Sequence, residues 1–384
     1  MTRIVFHALS FDDVLLVPKK SFLSSRSEVE LSTELTKNIK INTPLVSAAM
    51  DTVTEDRMAI SMSLYGGLGV IHRFQPIESQ VEQVKNVKDF EFNKTQFPNA
   101  NLDKNNKLMV GAAIGVKNNF LERAAKLIEA DADFIVIDVA HGHMQKVIDA
   151  IKEVKRNFDI DLIVGNVATY EAAKDLAEVE ADCIKIGIGP GSACTTRIVT
   201  GFGIPIFSSI LDCAKIKEEY DITLMADGGM RNSGDIVKAL AAGASAIMSG
   251  FLFSGVDETP GSVIEIEGKK YKLYKGMFSL ESNRKLAALE NRPFNEDIAP
   301  EGVEGLVAYK GSLSKVLFKL LNGIRNGLSY CGARNIKELQ EKAEFITITV
   351  NGLRESHAHD IMLFNDFKLE NFDAFFRKSS TNFQ

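Results

Sequence analysis

The chain holds four cysteines, and one of them lies in a stretch whose residue types suit chemistry: GPGSACTTR, Gly189 to Arg197, with Cys194 at its centre. Cys183 falls inside an apolar run and Cys213 inside a helical pattern, where a thiol serves as a small hydrophobe. Cys194 instead has glycine, serine and threonine around it, which pack poorly. A glycine-rich loop offers backbone N–H groups that stabilise a thiolate, and Thr195 and Thr196 bring hydroxyls that can position a proton. On residue chemistry alone, a structural sulfur and a nucleophile both remain open.

Other candidates follow apolar runs. Asp227-Gly228-Gly229 and Ser249-Gly250 place glycines where backbone can approach a phosphate closely and offer it N–H groups. The plainer reading is a pair of tight strand-to-helix turns. Asp227 can accept from ribose hydroxyls or cap the following turn. Lys185, within an apolar run, could form a Schiff base or reach a ligand anion or carboxylate. His141 and His143, like His357 and His359, are spaced as metal-ligand pairs. No further His or Cys cluster completes a site, so polar loop histidines are the better account.

These residues need elements to hold them. Eight short apolar runs recur: 44–49, 67–72, 108–115, 134–139, 162–167, 183–189, 223–229 and 246–250. Continuous Val/Ile/Leu runs suit strands buried on both faces of a parallel sheet. Amphipathic helical patterns separate them, at 118–130, 144–158, 169–181 and 232–244, the last with Asn232 or Ser233 as its cap. Strict alternation predicts an α/β fold, a (β/α)8 TIM barrel over about 43–255, with a doubly wound sheet as the alternative. A single domain is expected over 1–384, with additions to the barrel at 1–40 and 256–384. These include a β-hairpin at 262–276 turning on EGKK, and a C-terminal extension. Residues 74–107 form a polar connection.

Barrel ligands bind at the C-terminal strand ends. Small and polar residues gather there: Met50-Asp51, Asp138, Asn166, Gly187 to Cys194, Asp227 to Gly229, and Ser249-Gly250. The last two groups occupy the usual barrel phosphate position, after strands seven and eight.

Composition narrows the class. With 384 residues, 45% hydrophobic and 25% charged, the chain can bury a sizeable core. A net charge of −6 supplies no electrostatic reason for nucleic acid or an anionic membrane as partner. Widely spaced cysteines, no signal-peptide pattern and no membrane-length apolar run fit a reduced, cytoplasmic protein.

The motifs together are recognisable. LSFDDVLLVPKKS, SAAMDTVTE, GGLGVIHR, IDVAHGH, GNVAT, GIGPGSACTTR, ADGGMRNSGD, YKGM, PEGVEG and GLRESHAHD, from about Leu9 to Asp360, resemble the inosine monophosphate dehydrogenase / GMP reductase family. The resemblance implies that Cys194 attacks C2 of the purine of IMP, that hydride passes to NAD, and that the thioimidate is hydrolysed to XMP in guanine nucleotide synthesis. It implies that Ser192, Gly228, Gly229, Ser249, Gly250 and Tyr274 hold the 5′-phosphate end and Asp227 the ribose. Met50, Met277 and Glu301 would flank the base. The cofactor would meet Asp138, Asn166, Gly187 and Gly189. Backbone carbonyls of Gly189, Gly191 and Cys194, with Glu355, Ser356 and His357 of a neighbouring subunit, would hold K⁺ in a homotetramer. The slot at 74–107 is too short for the family's inserted pair of CBS domains.

Direction of reaction is the harder question. VTE after AAMDT, AHGH, PEGVEG and YCGA resemble dehydrogenases. The family's mobile flap, about 277–300 here, carries an Arg-Tyr pair that activates water. This chain keeps Arg292 but has Pro293 in place of the tyrosine, in a flap that reads as shortened. Phe278 and Phe251 stand where smaller residues are usual. Val139, Thr200 and Glu281 resemble GMP reductases, which use NADPH and pair a glutamate with the second loop threonine, here Thr196, to expel ammonia. Glu281 falls one residue beyond the expected slot. Dehydrogenase is the favoured expectation. GMP reductase, or a purine-nucleotide-binding protein of weak catalysis, is the alternative.

Overall fold

Eight parallel strands close on themselves, because strands that are apolar on both faces need helices outside and side chains inside. The computed structural model describes residues 7–117 and 119–361. The strands are β1 (Leu45–Ser47), β2 (Leu68–Ile71), β3 (Gly111–Ile114), β4 (Phe134–Asp138), β5 (Asp161–Val167), β6 (Cys183–Ile186), β7 (Thr223–Asp227) and β8 (Ala246–Ser249). They pair in chain order, and β8 closes the barrel on β1 through Ile247 opposite Leu45. The doubly wound alternative is thereby excluded.

Alternation along each strand divides the core in two. Val46, Val70, Phe134, Val136, Ile163, Met225 and Met248 fill the barrel interior. Leu45, Ile71, Ile135, Ile137, Val164, Ile184 and Leu224 face the outer helices. Cys183 belongs to the interior, where burial pushes its thiol up to about 12. Cys213 is buried on the helix Ile206–Ala214, and burial raises its thiol too. Both are inert structural sulfurs.

The outer helices begin and end within a few residues of their periodic patterns: Phe120–Glu129, Gln145–Asn157, Tyr170–Glu178 and Ser233–Ala241. Asn232 caps the last, its side chain accepting from the Asp235 amide at 3.0 Å. The connection 74–107 holds one helix, Ile77–Lys88. Buried Lys88 anchors its end to Asp103 at 2.9 Å and Asp133 at 2.7 Å.

The hairpin forms as β9 (Ile264–Ile266) and β10 (Lys269–Lys275). Its turn is two residues, Glu267 and Gly268, at φ 50° and 71°, the positive-φ pair that matches strand twist. A third strand, β11 (Glu304–Ala308), which no alternation in the sequence had marked, pairs antiparallel with β10. Between β10 and β11 the flap region holds a helix, Leu280–Leu289. The N-terminal strand Val14–Leu16 pairs with Phe345–Thr347 of the C-terminal extension. Among the described residues no helix is long and apolar enough to cross a membrane.

Candidate active site

Residues from all the later strand ends meet at one mouth of the barrel. A cavity of about 170 Å³ is lined by Met50 after β1, Asp138 at the end of β4, Asn166 on β5 and the loop Gly187–Cys194 after β6. Asp227, Gly228 and Gly229 after β7, Ser249 and Gly250 after β8, and Tyr274, Met277 and Glu301 from the added segments complete it. The barrel therefore collects every residue expected to hold the nucleotide.

Cys194 is half-buried on this wall, its thiol donating to Thr196 Oγ1 at 3.2 Å. The hydroxyl is thus within reach of a proton leaving sulfur. The loop is held open by Gly187 and Gly189, at φ 142° and 84°. A second support comes from far along the chain. The Thr195 amide donates to the Glu301 carbonyl at 3.0 Å, and the Val303 amide donates to the Ala193 carbonyl at 2.9 Å. The segment entering β11 therefore braces the sulfur and brings Glu301 beside it.

The glycines after β7 and β8 leave backbone close to the cavity. Gly228 and Gly229 sit at φ 82° and 81°. A Cβ on Gly250 would lie 2.4 Å from Met50 Sδ and 2.9 Å from the Tyr274 hydroxyl. Any side chain at 250 would have to displace Met50 or the Tyr274 hydroxyl. Burial, with Asp227 and Cys194 nearby, pushes the Tyr274 phenol above its ordinary range, so it remains a neutral donor.

Between these ends lies a charged centre. Lys185, on β6 and 1% exposed, donates to Asp138 Oδ1 at 2.8 Å, to Asp227 Oδ2 at 2.6 Å and to Asn166 Oδ1. Burial works against the charge of this ammonium, but Asp138 and Asp227 outweigh it and hold the lysine above its usual range. A charged, triply occupied amine cannot attack a carbonyl, so the Schiff-base reading is ruled out. Asn166 also donates to the Gly187 carbonyl at 2.7 Å and to Asp227 Oδ2 at 3.0 Å.

Beside the cavity runs a larger groove of about 1060 Å³, lined by Arg73, Gly115, Arg123, Val139, His141, Phe278 and Arg292 among others. Val139, Ala140 and Phe278 border both spaces. Asp138 lines the cavity, next in sequence to Val139.

Two expected residues sit outside the cavity. Glu281 is not in the cavity: on the helix Leu280–Leu289 it faces Lys275 Nζ at 3.3 Å, and its side chain is half exposed. The same Lys275, buried, also pairs with Asp51 at 3.2 Å. Arg292 lines the groove instead of the cavity and is tied to Glu290 at 2.6 Å. Glu355, Ser356 and His357, expected to serve a neighbouring subunit, are exposed at the end of the helix Val350–Glu355. Among the described residues no group of three His, Cys, Asp or Glu could hold a metal. The carboxylate reading of Lys185 holds, but the sequence did not say that it joins two of them, Asp138 and Asp227. Its signal was an isolated cation within a buried strand.

Comparison with known proteins supplies the relatives of this arrangement. A family model described as the IMP dehydrogenase / GMP reductase domain matches residues 8–359. The chain is 45% identical to inosine-5′-monophosphate dehydrogenase of Cryptosporidium parvum, over 94% of this chain and 97% of that protein. It is 43% identical to the Borreliella burgdorferi protein of the same name, over 94% and 98%. A solved structure of a variant GMP reductase from Trypanosoma brucei, in complex with guanosine 5′-monophosphate, superposes at a TM-score of 0.88. It shares 32% identity and covers 93% of this chain and 99% of that one.

Proposed function

The chain belongs to the IMP dehydrogenase / GMP reductase family, and on that premise we propose that it oxidises inosine 5′-monophosphate to xanthosine 5′-monophosphate, with NAD as hydride acceptor. The observation that carries the reading is Cys194, half-buried on the cavity wall with Thr196 Oγ1 at 3.2 Å and the Glu301 segment braced against it. Attack of this sulfur on C2 of the purine makes a tetrahedral carbon that releases hydride to the acceptor. Water then adds to C2, the C–S bond breaks, and the thiol is regenerated.

The chain's own groups divide the remaining work. Gly228, Gly229, Ser249, Gly250, Ser192 and Tyr274 take the phosphate end. Asp227 takes the substrate ribose, and Asp138, on the cavity wall beside Val139, would take the ribose of the acceptor. Met50, Met277 and Glu301 bracket the base, while Asn166, Gly187 and Gly189 border the nicotinamide. NAD supplies only the site that accepts hydride. Arg292 must leave Glu290 to polarise the hydrolytic water.

Glu281 bears on direction. Expulsion of ammonia from GMP needs a glutamate beside Thr196, and here that glutamate faces Lys275. This favours dehydrogenation over reduction. The carbonyls of Gly189, Gly191 and Cys194 are hard oxygen donors on one tight loop, suited to K⁺. Gly191 O already accepts the Cys194 amide at 3.0 Å, so the loop is partly preorganised. Glu355, Ser356 and His357 of an adjacent subunit would complete that site within a homotetramer. The single helix in 74–107 supports a one-domain enzyme without a CBS pair.

The deciding experiment follows absorbance in the NADH band with IMP, NAD and K⁺, then with GMP and NADPH. NADH formation from IMP is the expected result. NADPH loss with GMP and no IMP oxidation would make the protein a GMP reductase. Silence in both, with IMP bound by calorimetry, would make it a binding protein.

A further inference from the structure

Another groove, of about 1010 Å³, lies between the end of the helix Asp56–Leu64, residues 96–99 of the polar connection and the first half of the helix Leu313–Tyr330. It shares no lining residue with the barrel-mouth cavity or with the groove beside that cavity. Arg231, Lys310, Lys315, Lys319 and Arg325 line it, and among the described residues no aspartate or glutamate does. The whole chain carries a net charge of −6, so this wall departs from the rest of the molecule in sign. Arg231 is paired with Asp12, but the other four cations make no ion pair among the described residues. Lys310 instead donates to the carbonyls of Phe251 at 2.8 Å and Leu252 at 3.2 Å. Burial pushes its ammonium down to about 8, a cost that a bound anion removes.

Aromatic rings line the same space. Phe318 and Tyr65 are 69% and 38% exposed, and Tyr65 is held edge-on against Phe97 with ring centres 5.5 Å apart. On the helix, Lys315 lies one turn from both Phe318 and Lys319, so ring and cations share a face. Exposed rings among unpaired cations suit a ligand that is flat at one end and several-fold negative at the other. The volume is that of a small-molecule site. A nucleoside polyphosphate has both features, a base to stack and phosphates to carry charge. Chain order ties the groove to the glycine turns: Arg231 follows Gly229 by two positions, and Phe251 and Leu252, whose carbonyls hold Lys310, follow Gly250.

We propose that this groove is a second nucleotide site, taking a nucleoside polyphosphate away from the barrel mouth. The base packs against Phe318 and Tyr65, and the phosphates take Lys315, Lys319 and Arg325, with Lys310 as a further donor. A phosphate on Lys310 competes with the Phe251 and Leu252 carbonyls for its protons and so loosens the turn after β8. Occupancy therefore raises the KM for IMP, a consequence that rests on the functional reading above.

ATP serves as the probe, with inorganic tripolyphosphate and adenosine as its two halves. By calorimetry, with IMP saturating, the wild type should bind ATP more tightly than either half. Lys315→Glu combined with Lys319→Glu should weaken ATP about tenfold or more. Both lysines are exposed and outside the barrel mouth, so this variant should fold and oxidise IMP as the wild type does. Phe318→Ala should weaken ATP several-fold and leave tripolyphosphate unchanged. Equal ATP affinity in wild type and double variant would overturn the site. Tripolyphosphate bound as tightly as ATP would remove the base from it, and a wild type that ignores ATP but binds polyglutamate would make the groove a protein-docking face instead. In turnover assays ATP should raise the KM for IMP several-fold in the wild type and not in the double variant, and an unchanged KM removes the link through Lys310. Should the wild type turn over neither IMP nor GMP, the functional reading falls, and the ATP titration still decides the groove on its own.

Discussion

Lys185 Nζ lies 2.6 Å from Asp227 Oδ2, across 42 positions of sequence, and the same ammonium reaches Asp138 at 2.8 Å. One buried cation thus sets both carboxylates assigned to ribose hydroxyls, one for each nucleotide. Lys185→Met leaves two adjacent carboxylates unneutralised in a dry centre. It should destabilise the fold by about 3–5 kcal/mol, read as a lower urea midpoint, and raise the KM for both substrates. A variant impaired toward one substrate alone would separate the two roles.

Cys194→Ala removes the nucleophile and little volume. Turnover should vanish while IMP binding stays measurable by calorimetry, since the phosphate and ribose contacts lie elsewhere in the cavity. Full turnover in this variant would end the covalent mechanism.

Gly250→Ala forces a methyl to within 2.4 Å of Met50 Sδ. Relief requires the β8 loop or Met50 to move, at about 1–3 kcal/mol. The expected result is a raised KM for IMP with the KM for NAD nearly unchanged, measured at saturating partner substrate.

Arg292 is held by Glu290 at 2.6 Å, away from Cys194. Arg292→Ala should slow hydrolysis more than hydride transfer, so a covalent adduct accumulates and is visible by mass spectrometry of quenched enzyme. Glu290→Ala, which frees the guanidinium, should lower that adduct. An adduct level unaffected by either change would remove Arg292 from the water step.

Asp133 is pushed up to about 6 by burial, despite Lys88 at 2.7 Å. Between the unfolded value near 3.8 and 6, the folded chain binds the extra proton. This group's contribution to stability therefore falls as pH rises through that window. Asp133→Asn should flatten that part of the stability–pH profile, measured by urea unfolding at intervals from pH 4 to 7. A slope unchanged in the variant would assign it to other groups.

Much of this architecture was legible because its signals are local. Apolar runs in alternation with amphipathic helices suffice for a closed barrel, since parallel strands require both faces covered. The glycines of Gly189–Cys194 and Asp227–Gly229 follow such runs, so chain order alone places them at one mouth. The third strand, Glu304–Ala308, carried no comparable mark: its side chains stay largely exposed, and it exists only because β10 offers it an edge. With it comes the brace of Glu301 and Val303 on the Cys194 loop; PEGVEG had marked Glu301 as a neighbour of the base, but no alternation in 300–308 announced the strand that makes the brace.

The charged groups divide the same way. Residue types by themselves determined that Cys194 sits among hydroxyls and glycines and that Lys185 is an isolated cation in an apolar strand. Only the tertiary structure decided which acid each cation meets. Lys185 goes to Asp138 and Asp227, Lys275 to Asp51 and Glu281, and Arg292 to Glu290. Hydrophobic periodicity is a property of neighbouring residues and survives in the linear chain. Ion pairing depends on distance through space, and those distances arise only when the barrel closes and brings remote strand ends within a few ångströms.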